Sequence, residues 1–261
     1  MIRFGIGGWT FEEWRGTFYP DDVPSKRELE YASRKLTTIE INGTFYRTQT
    51  PSTFKKWFDE TPDDFVFSVK APRYIVGKKE LAGSSELLDV FLKSGLVELK
   101  QKLGPILWQL APFKKFDEDV GAFLKMLPHE LGILPLRHAL EIRSKSFLVP
   151  EFVDMARKNN VAIVYADSDD YPAIADVTAD FTYARLQRCV EGEPTGYSKK
   201  ALDQWMARAR EWEAGVAPKG LDTFGAPTKA AKAKRDVFIY FISGAKVRAP
   251  HAAMAMIERL K

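Results

Sequence analysis

Five charged residues near the ends of short apolar segments have side chains that can do acid, base or anion-binding chemistry. Two are carboxylates, Glu40 and Glu141, and three are cations, Lys70, Arg143 and Arg185. A carboxylate that neighbouring cations hold ionised can act as a base or anchor a hydroxyl group. Lysine and arginine side chains bind phosphate and carboxylate groups. Together they predict metal-independent acid/base chemistry, of hydrolase or lyase type, on a small polar, anionic ligand.

The stretch 38–47 shows how such residues could be positioned. Polar and apolar residues alternate from Thr38 to Asn42, which is typical of a strand with a different environment on each face. Gly43 then permits a turn, so that Glu40 and Asn42 lie on one face at the end of the strand. Proteins of the α/β class place their chemistry at such strand ends. The alternative is an internal ion-pair ladder with no ligand.

Eight apolar segments recur along the chain, and most of them are followed by a segment with helical periodicity. Strands are predicted at residues 2–7, 38–42, 65–70, 105–110, 136–143, 161–167, 181–187 and 237–242. Helices are predicted at residues 26–35, 51–60, 84–102, 117–126, 150–159, 198–214 and 250–260, with at most one helical turn at 171–176. This alternation over 261 residues predicts one domain, a single (β/α)8 TIM-type barrel. An open doubly wound sheet is the alternative, but no Gly-x-Gly-x-x-Gly follows the first strand.

Period-two alternation predicts which side chains reach the C-terminal mouth of the barrel. The catalytic candidates are Glu40, Glu141 and Lys70. The ligand-binding candidates are Trp9, Asn42, Phe45, Tyr46, Gln109, Arg143, Asp167, Tyr183 and Arg185. In this scheme the sixth strand offers Tyr165 and Asp167, and the eighth offers either Tyr240 or Ser243. A ligand site is preferred to a purely structural ion network, because buried ion pairs are a weak source of stability.

Other common chemistries lack the residues that they need. The chain has three histidines, His129, His138 and His251, which are not clustered with carboxylates, so neither a metal nor a cofactor is expected. No Gly-x-Ser-x-Gly motif marks a serine nucleophile. Cys189 follows Arg188, which could lower its pKa, but it has no histidine partner. A glycosidase pair is disfavoured, because the fourth and seventh strands offer Gln109 and Arg185 instead of carboxylates.

Composition and charge indicate a soluble protein of a reducing compartment. A formal net charge of +4 does not by itself indicate nucleic acid, and the single cysteine excludes an intramolecular disulfide. The chain starts directly in a strand pattern and has no apolar run of membrane-spanning length, so we expect a cytoplasmic protein with no membrane partner.

Two long connections are candidates for further functions. Residues 9–24 carry five aromatic side chains and should cover the mouth as a packed lid or a stacking platform. Residues 215–236 are rich in lysine, and we expect a mobile, solvated, basic loop at the opposite end of the barrel. A nucleic-acid binder that uses both segments is one alternative function. A scaffold with no ligand is another.

Six motifs, spread over nearly the whole chain, resemble the YecE-like family, also known as domain of unknown function 72. They occupy residues 5–9, 39–47, 65–72, 107–112, 141–143 and 183–186. The resemblance implies a TIM-type barrel and no established reaction. The chain departs from the family at 75–77, 144–147 and 187–188, where relatives carry histidines, so any metal binding or proton transfer by those histidines is not implied here. Similarity of such barrels to endonuclease-IV-like enzymes supports the nucleic-acid alternative by fold analogy alone.

Overall fold

Eight parallel strands close into a barrel in the computed structural model, which describes all 261 residues. The strands are β1 Ile2–Gly7, β2 Thr38–Ile41, β3 Val66–Lys70, β4 Leu103–Gln109, β5 His138–Glu141, β6 Val161–Asp167, β7 Phe181–Leu186 and β8 Asp236–Phe241. Their order around the barrel is their order in the chain, and β8 pairs with β1 to complete the ring. The prediction of a TIM-type barrel is therefore confirmed, and the open sheet is excluded.

The strands are apolar on both faces because each face packs against something. The outward side chains and the surrounding helices form a core of 61 buried residues. The inward side chains form a second cluster of 11, which includes Leu107, Phe181 and Phe238. Two inward rings, those of Tyr183 and Tyr240, lie 4.9 Å apart between centroids. The barrel is thus filled along most of its length, as is usual for this fold.

Nine α-helices surround the barrel or cover its ends. They are α1 Glu28–Lys35, α2 Gly43–Tyr46, α3 Pro51–Glu60, α4 Arg73–Val76, α5 Ser85–Leu92, α6 Glu118–Met126, α7 Pro150–Lys158, α8 Lys199–Glu213 and α9 Ala249–Glu258. Side-chain caps define several of the starts: Thr50 accepts from the Thr53 amide, Asp117 from Val120 and Ser198 from Ala201.

The predicted helix at 84–102 is wrong in its second half. The helix α5 ends at Leu92, and residues Leu96–Lys102 form a 3-10 helix instead. Gly95 separates the two with φ of 119°, and a Cβ atom there would lie 2.6 Å from the Pro51 Cα. Close contact with α3 therefore requires glycine at this break. A short hairpin, Glu130–Leu131 with Leu134–Pro135, was not anticipated, and β5 is shorter than its predicted range.

The basic segment 215–236 lies at the N-terminal end of the barrel and makes several fixed contacts. Asp176 accepts hydrogen bonds from the backbone amides of Phe224 at 2.7 Å and Gly225 at 3.2 Å. The Ala231 amide donates to the Ala214 carbonyl at 2.8 Å. The lysine side chains at positions 229, 232 and 234 are exposed. Its mobility and its role as a basic patch stay predictions.

No helix in the structure combines the length and the apolar character needed to cross a membrane.

Candidate functional site

The centre of the site is a pair of ions that meet across the barrel. Glu40 at the end of β2 is completely buried. Both of its carboxylate oxygens accept hydrogen bonds from the guanidinium group of Arg185 on β7. Nε donates to Oε2 at 3.1 Å, and Nη2 donates to Oε1 at 3.0 Å. The Tyr183 hydroxyl donates to Glu40 Oε2 at 2.7 Å. Gly7 of β1 leaves space for the neighbouring side chains at the mouth, since a Cβ atom there would lie 2.4 Å from the Ile242 Cγ2 and 2.9 Å from the Asn42 Nδ2.

The second carboxylate is equally enclosed. Glu141 lies at the end of β5. Its Oε1 accepts hydrogen bonds from Gln109 Nε2 at 2.9 Å and from Arg143 Nε at 3.1 Å. Its Oε2 accepts a hydrogen bond from Arg185 Nη1. Burial raises the pKa of Glu141, but Arg185 and Arg143 lower it more, so that the pKa lies below its ordinary value. Arg185 therefore bridges the two glutamates, and all three of its nitrogens are engaged.

Beneath the ion pairs, two tyrosines complete the polar part of the interior. The Tyr183 hydroxyl lies 2.9 Å from the Ser68 hydroxyl, and the Tyr240 hydroxyl lies 2.8 Å from that of Thr38. Burial and then the Glu40 charge raise the pKa of Tyr183 well above its ordinary value, so it stays protonated and donates. Of the two residues considered for β8, it is Tyr240 that points inward.

Lys70 is the cation of this cluster that has no partner. It ends β3, only 8% of the residue is exposed, and its ammonium group forms no hydrogen bond and no salt bridge. The Phe45 ring covers it, with Nζ 4.2 Å from the ring centroid. Burial and then Arg185 lower the pKa of Lys70 to about 8, against the opposing effect of Glu40 and Glu141. Its Nζ atom keeps a little solvent-accessible surface. A nearly buried ammonium group without an acceptor in the protein is costly, which distinguishes Lys70 from the other ions here.

The short helix α2 divides the mouth into two cavities. Thr44 fixes this helix, since its hydroxyl donates to the Lys70 carbonyl at 2.7 Å. The larger cavity has a volume of about 460 Å³ and is lined by Trp9, Asn42, Tyr46, Arg47, Trp57 and Lys246, among others. The smaller, of about 160 Å³, is lined by Phe45, Arg73, Gln109, Arg143 and apolar residues. Neither cavity has an aspartate or a glutamate in its lining.

Three cations at the mouth were missed by the sequence analysis. Arg47 and Lys246 line the larger cavity and Arg73 lines the smaller, and none of the three forms a salt bridge. Arg73 is the first residue of α4, three positions after Lys70. Period-two alternation applies only within strands, so it could not detect Arg73, which lies after the end of β3. The signal that the sequence did offer was a cation shortly after the C-terminal end of a strand.

Most of the predicted site residues come together, but in different roles from those expected. Glu40, Glu141 and Arg185 form a buried network in which every carboxylate oxygen and every guanidinium nitrogen already has a partner, so their contact with a ligand is restricted. Trp9, Asn42 and Tyr46 line one cavity, whereas Phe45, Gln109 and Arg143 line the other. Lys70 lies between these two groups, beneath Phe45. The expectation of one shared pocket is therefore corrected to two cavities above a sealed ion network.

Asp167 was assigned to the mouth, and this is wrong. Ala162 and Val164 of β6 belong to the inward cluster, while Tyr165 packs outward on Trp205 and Trp212 of α8 at 5.8 and 5.5 Å. Asp167 has the same phase as Tyr165 and pairs with Arg188 at 3.0 Å. The sixth strand consequently places no charged side chain in the interior.

The first loop is a packed element. Trp14, Phe18 and Tyr19 are buried, and the Trp14 indole donates to the Lys246 carbonyl at 2.9 Å. These rings are not available to stack on bases, and of the predicted wall residues in this loop only Trp9 lines a cavity. The geometry therefore does not support a base-stacking platform along residues 9–24.

The histidine and cysteine side chains have structural environments. His138 Nδ1 accepts from the Trp108 indole at 3.0 Å, which places its proton on Nε2, opposite the Pro128 carbonyl at 2.7 Å. Burial lowers the pKa of His138 to about 4. Burial also raises the pKa of the Cys189 thiol to about 12, the reverse of what a nucleophile needs. No three histidine, cysteine, aspartate or glutamate side chains are grouped closely enough to hold a metal ion.

Comparisons of sequence place the chain among proteins of unknown function. The family model described as "Protein of unknown function DUF72" matches residues 3–261. The chain is 30% identical over 159 residues to the UPF0759 protein YunF of Bacillus subtilis, covering 59% of this chain and 55% of that protein. It is 26% identical over 150 residues to the UPF0759 protein YecE of Escherichia coli K12, covering 56% and 50%. The matched part thus spans about half the length of these curated relatives.

Solved structures share the fold over the whole chain. A DUF72 family protein from Thermotoga maritima superimposes with a TM-score of 0.74 at 23% identity, covering 100% of this chain and 99% of that one. A DUF72 family protein from Enterococcus faecalis gives a TM-score of 0.70 at 19% identity, covering 100% and 97%.

Proposed function

The chain belongs to the DUF72 family, whose description names no activity, and from its own geometry we propose that the mouth of the barrel binds a small anion. The anion is the carboxylate or phosphate group of a small polar molecule. Its site is the smaller cavity beside Phe45, together with the Lys70 ammonium group beneath that ring.

The observation that carries this proposal is the missing counter-ion of Lys70. The buried network contains two carboxylates, Glu40 and Glu141, and two arginines that pair with them, Arg185 and Arg143. Lys70 therefore adds one positive charge to a network that is otherwise neutral. Because a desolvated charge is stabilised by an opposite charge far more than an exposed one, an anion that reaches Lys70 gains a strong interaction.

The lining of the smaller cavity adds to this attraction. Arg73 is exposed and unpaired, and Arg143 uses Nε for Glu141 but keeps its Nη2 free of hydrogen bonds. The Arg143 guanidinium carbon lies 4.2 Å from the centroid of the Tyr171 ring, and this contact limits the side-chain freedom that binding would remove. A cavity of about 160 Å³ suits a carboxylate or phosphate group and little more.

Acid/base chemistry at this site falls to Lys70. Each oxygen of the two glutamates already accepts from at least one donor, so a proton from a ligand would have to compete with these donors. Lys70 has a free lone pair in the fraction of molecules that are deprotonated, and its pKa of about 8 makes that fraction substantial near neutral pH. Any proton transfer here needs no metal.

Calorimetric titration with inorganic phosphate tests the binding of an anion. We expect the Arg73→Gln variant to bind phosphate about tenfold more weakly, since one charge-assisted hydrogen bond contributes about 1.5 kcal/mol. Arg47→Gln is the matched control, because Arg47 is also an exposed, unpaired arginine at the mouth but lines the larger cavity. Equal affinities of wild type and Arg73→Gln, or no binding of phosphate by the wild type, would contradict the proposal.

A further inference from the structure

We propose that the Lys70 amine is a nucleophile that forms an imine with a small oxo acid, an aldehyde or ketone that also carries a carboxylate. This inference rests on the proposed function, because the cations of the smaller cavity hold the carboxylate while Lys70 meets the carbonyl group.

The other buried lysines show what a purely structural lysine looks like in this chain. Lys102 donates to the Phe58 and Thr61 carbonyls, each at 2.7 Å. Lys114 donates to the Lys79 carbonyl at 3.2 Å and to Asp119 at 2.6 Å. Lys70 is buried like these two, yet it donates to nothing. A lysine that served only stability would have acceptors, as the other two have.

The environment of Lys70 favours the neutral amine that nucleophilic attack requires. Desolvation by Phe45 and the barrel wall acts together with the charges of Arg185 on β7 and of Arg143, two residues after β5, while Glu40 and Glu141 oppose them. With a pKa of about 8, roughly one Lys70 in eleven is neutral at pH 7. For a lysine at its ordinary value the neutral fraction is roughly 300 times smaller. Desolvated lysines are activated for imine formation in this way.

The position of Lys70 suits a substrate with a carbonyl group and a carboxylate close together. It is the last residue of β3, so it lies at the C-terminal end of the barrel. Arg73 and Arg143 line the cavity that Phe45 also lines, and the Phe45 ring is the one that covers Lys70, with Nζ 4.2 Å from its centroid. A compact oxo acid can therefore reach Lys70 with its carbonyl carbon while the arginines hold its carboxylate.

The reaction balances without a cofactor. The Lys70 nitrogen attacks the carbonyl carbon, a C–N bond forms, and the π electrons move to the carbonyl oxygen. The nitrogen then gives up its two protons to that oxygen, the C–O bond breaks, and water leaves as the C=N bond forms.

Reductive trapping of the wild-type protein tests the inference. The probe is glyoxylate with sodium cyanoborohydride at pH 7, followed by peptide mass spectrometry. We expect carboxymethylation of Lys70 at a rate at least 100-fold above that of any exposed lysine, with Lys102 unmodified. Added inorganic phosphate should slow the modification of Lys70 only. The Lys70→Arg variant should lose the fast modification.

The outcomes separate this inference from the proposed function. If phosphate binds but Lys70 reacts no faster than exposed lysines, the imine is wrong and anion binding stands. If Lys70 reacts fast and phosphate neither binds nor competes, the nucleophile is supported and the anion site is wrong. If Lys70 is inert and phosphate does not bind, both fail.

Discussion

Arg185 donates to both carboxylate oxygens of Glu40, from Nε at 3.1 Å and from Nη2 at 3.0 Å, and so joins β7 to β2 through the interior of the barrel. On the shorter path around the barrel, β8 and β1 separate these strands. The same guanidinium reaches Glu141 on β5. One side chain thereby links three strands that do not pair with one another.

Removal of Arg185 should destabilise the protein strongly. Arg185→Met leaves two completely buried carboxylates without their main counter-ion, and breaking a buried ion pair in this way costs about 3–5 kcal/mol. The measurement is the free energy of urea-induced unfolding at pH 7. Arg27→Met is the control, because Arg27 also pairs with a carboxylate, that of Glu30, but its side chain is 60% exposed, so a much smaller loss is expected. Similar losses in both variants would contradict the assignment.

Lys70→Met should stabilise the protein at pH 7 while it abolishes phosphate binding. The folded protein lowers the pKa of Lys70 to about 8, so the unfolded chain holds the proton more tightly. The resulting penalty on folding is fully present below pH 8 and disappears as the pH rises above the ordinary lysine pKa. We expect a gain of about 1–3 kcal/mol at pH 7.

Urea unfolding of Lys70→Met and of the wild type, at pH 7 and again near pH 10, measures that gain. The difference between the two proteins should shrink at the higher pH. Lys102→Met is the matched control, because the Lys102 ammonium has carbonyl acceptors that its removal leaves unpaired, so this variant should lose stability. A Lys70→Met protein that is less stable than the wild type at pH 7 would refute the description of Lys70 as an unpaired charge.

The barrel and most of its charged interior could be predicted because polar residues interrupt the strands at period two. Glu40, Lys70 and Arg185 each follow an apolar residue and stand on the inward phase. In β6, by contrast, the sequence Val-Ala-Ile-Val-Tyr-Ala-Asp is apolar on both faces and small on the inward one. Alternation therefore gave no usable signal there, and Asp167 was assigned to the wrong face.

Pairing and access could not be predicted from the sequence. Three cations near two glutamates leave open which cation remains unpaired, because that depends on the reach of each side chain across the barrel. The answer, Lys70, follows from Arg185 filling the space between Glu40 and Glu141. The helix α2, which divides the mouth, is held by the Thr44 hydroxyl, which lies within hydrogen-bond distance of the Ile41 carbonyl of β2 and the Lys70 carbonyl at the end of β3. Such contacts carry no periodic signature.

His138 should make the protein less stable as the pH falls from 6.5 to about 4. Burial lowers its pKa to about 4 in the folded state, so between these values the unfolded chain binds a proton that the folded protein does not. Stability is complete above pH 6.5, and the expected loss by pH 4 is about 3 kcal/mol. Urea unfolding as a function of pH measures it. In His138→Gln the unfolding free energy should change less steeply with pH between pH 6.5 and 5. An unchanged slope would mean that groups other than His138 cause the loss of stability.

Phe45→Ala should raise the pKa of Lys70 toward its ordinary value. The Phe45 ring is one of the groups that keep water from the ammonium, and desolvation is the main cause of the lowered pKa. Loss of the cation–π contact by itself lowers the pKa of Lys70, but water that enters the space of the ring then stabilises the charged ammonium in its place. The measurement is the pH dependence of reductive methylation of Lys70 by formaldehyde, a probe with no anionic group. Tyr46→Ala is the control, because Tyr46 is the next residue of α2 but is 72% exposed and lines the other cavity. We expect the methylation of Lys70 to have its midpoint near pH 8 in the wild type and in Tyr46→Ala, and at a higher pH in Phe45→Ala. The same midpoint in all three proteins would mean that Phe45 does not set the reactivity of Lys70.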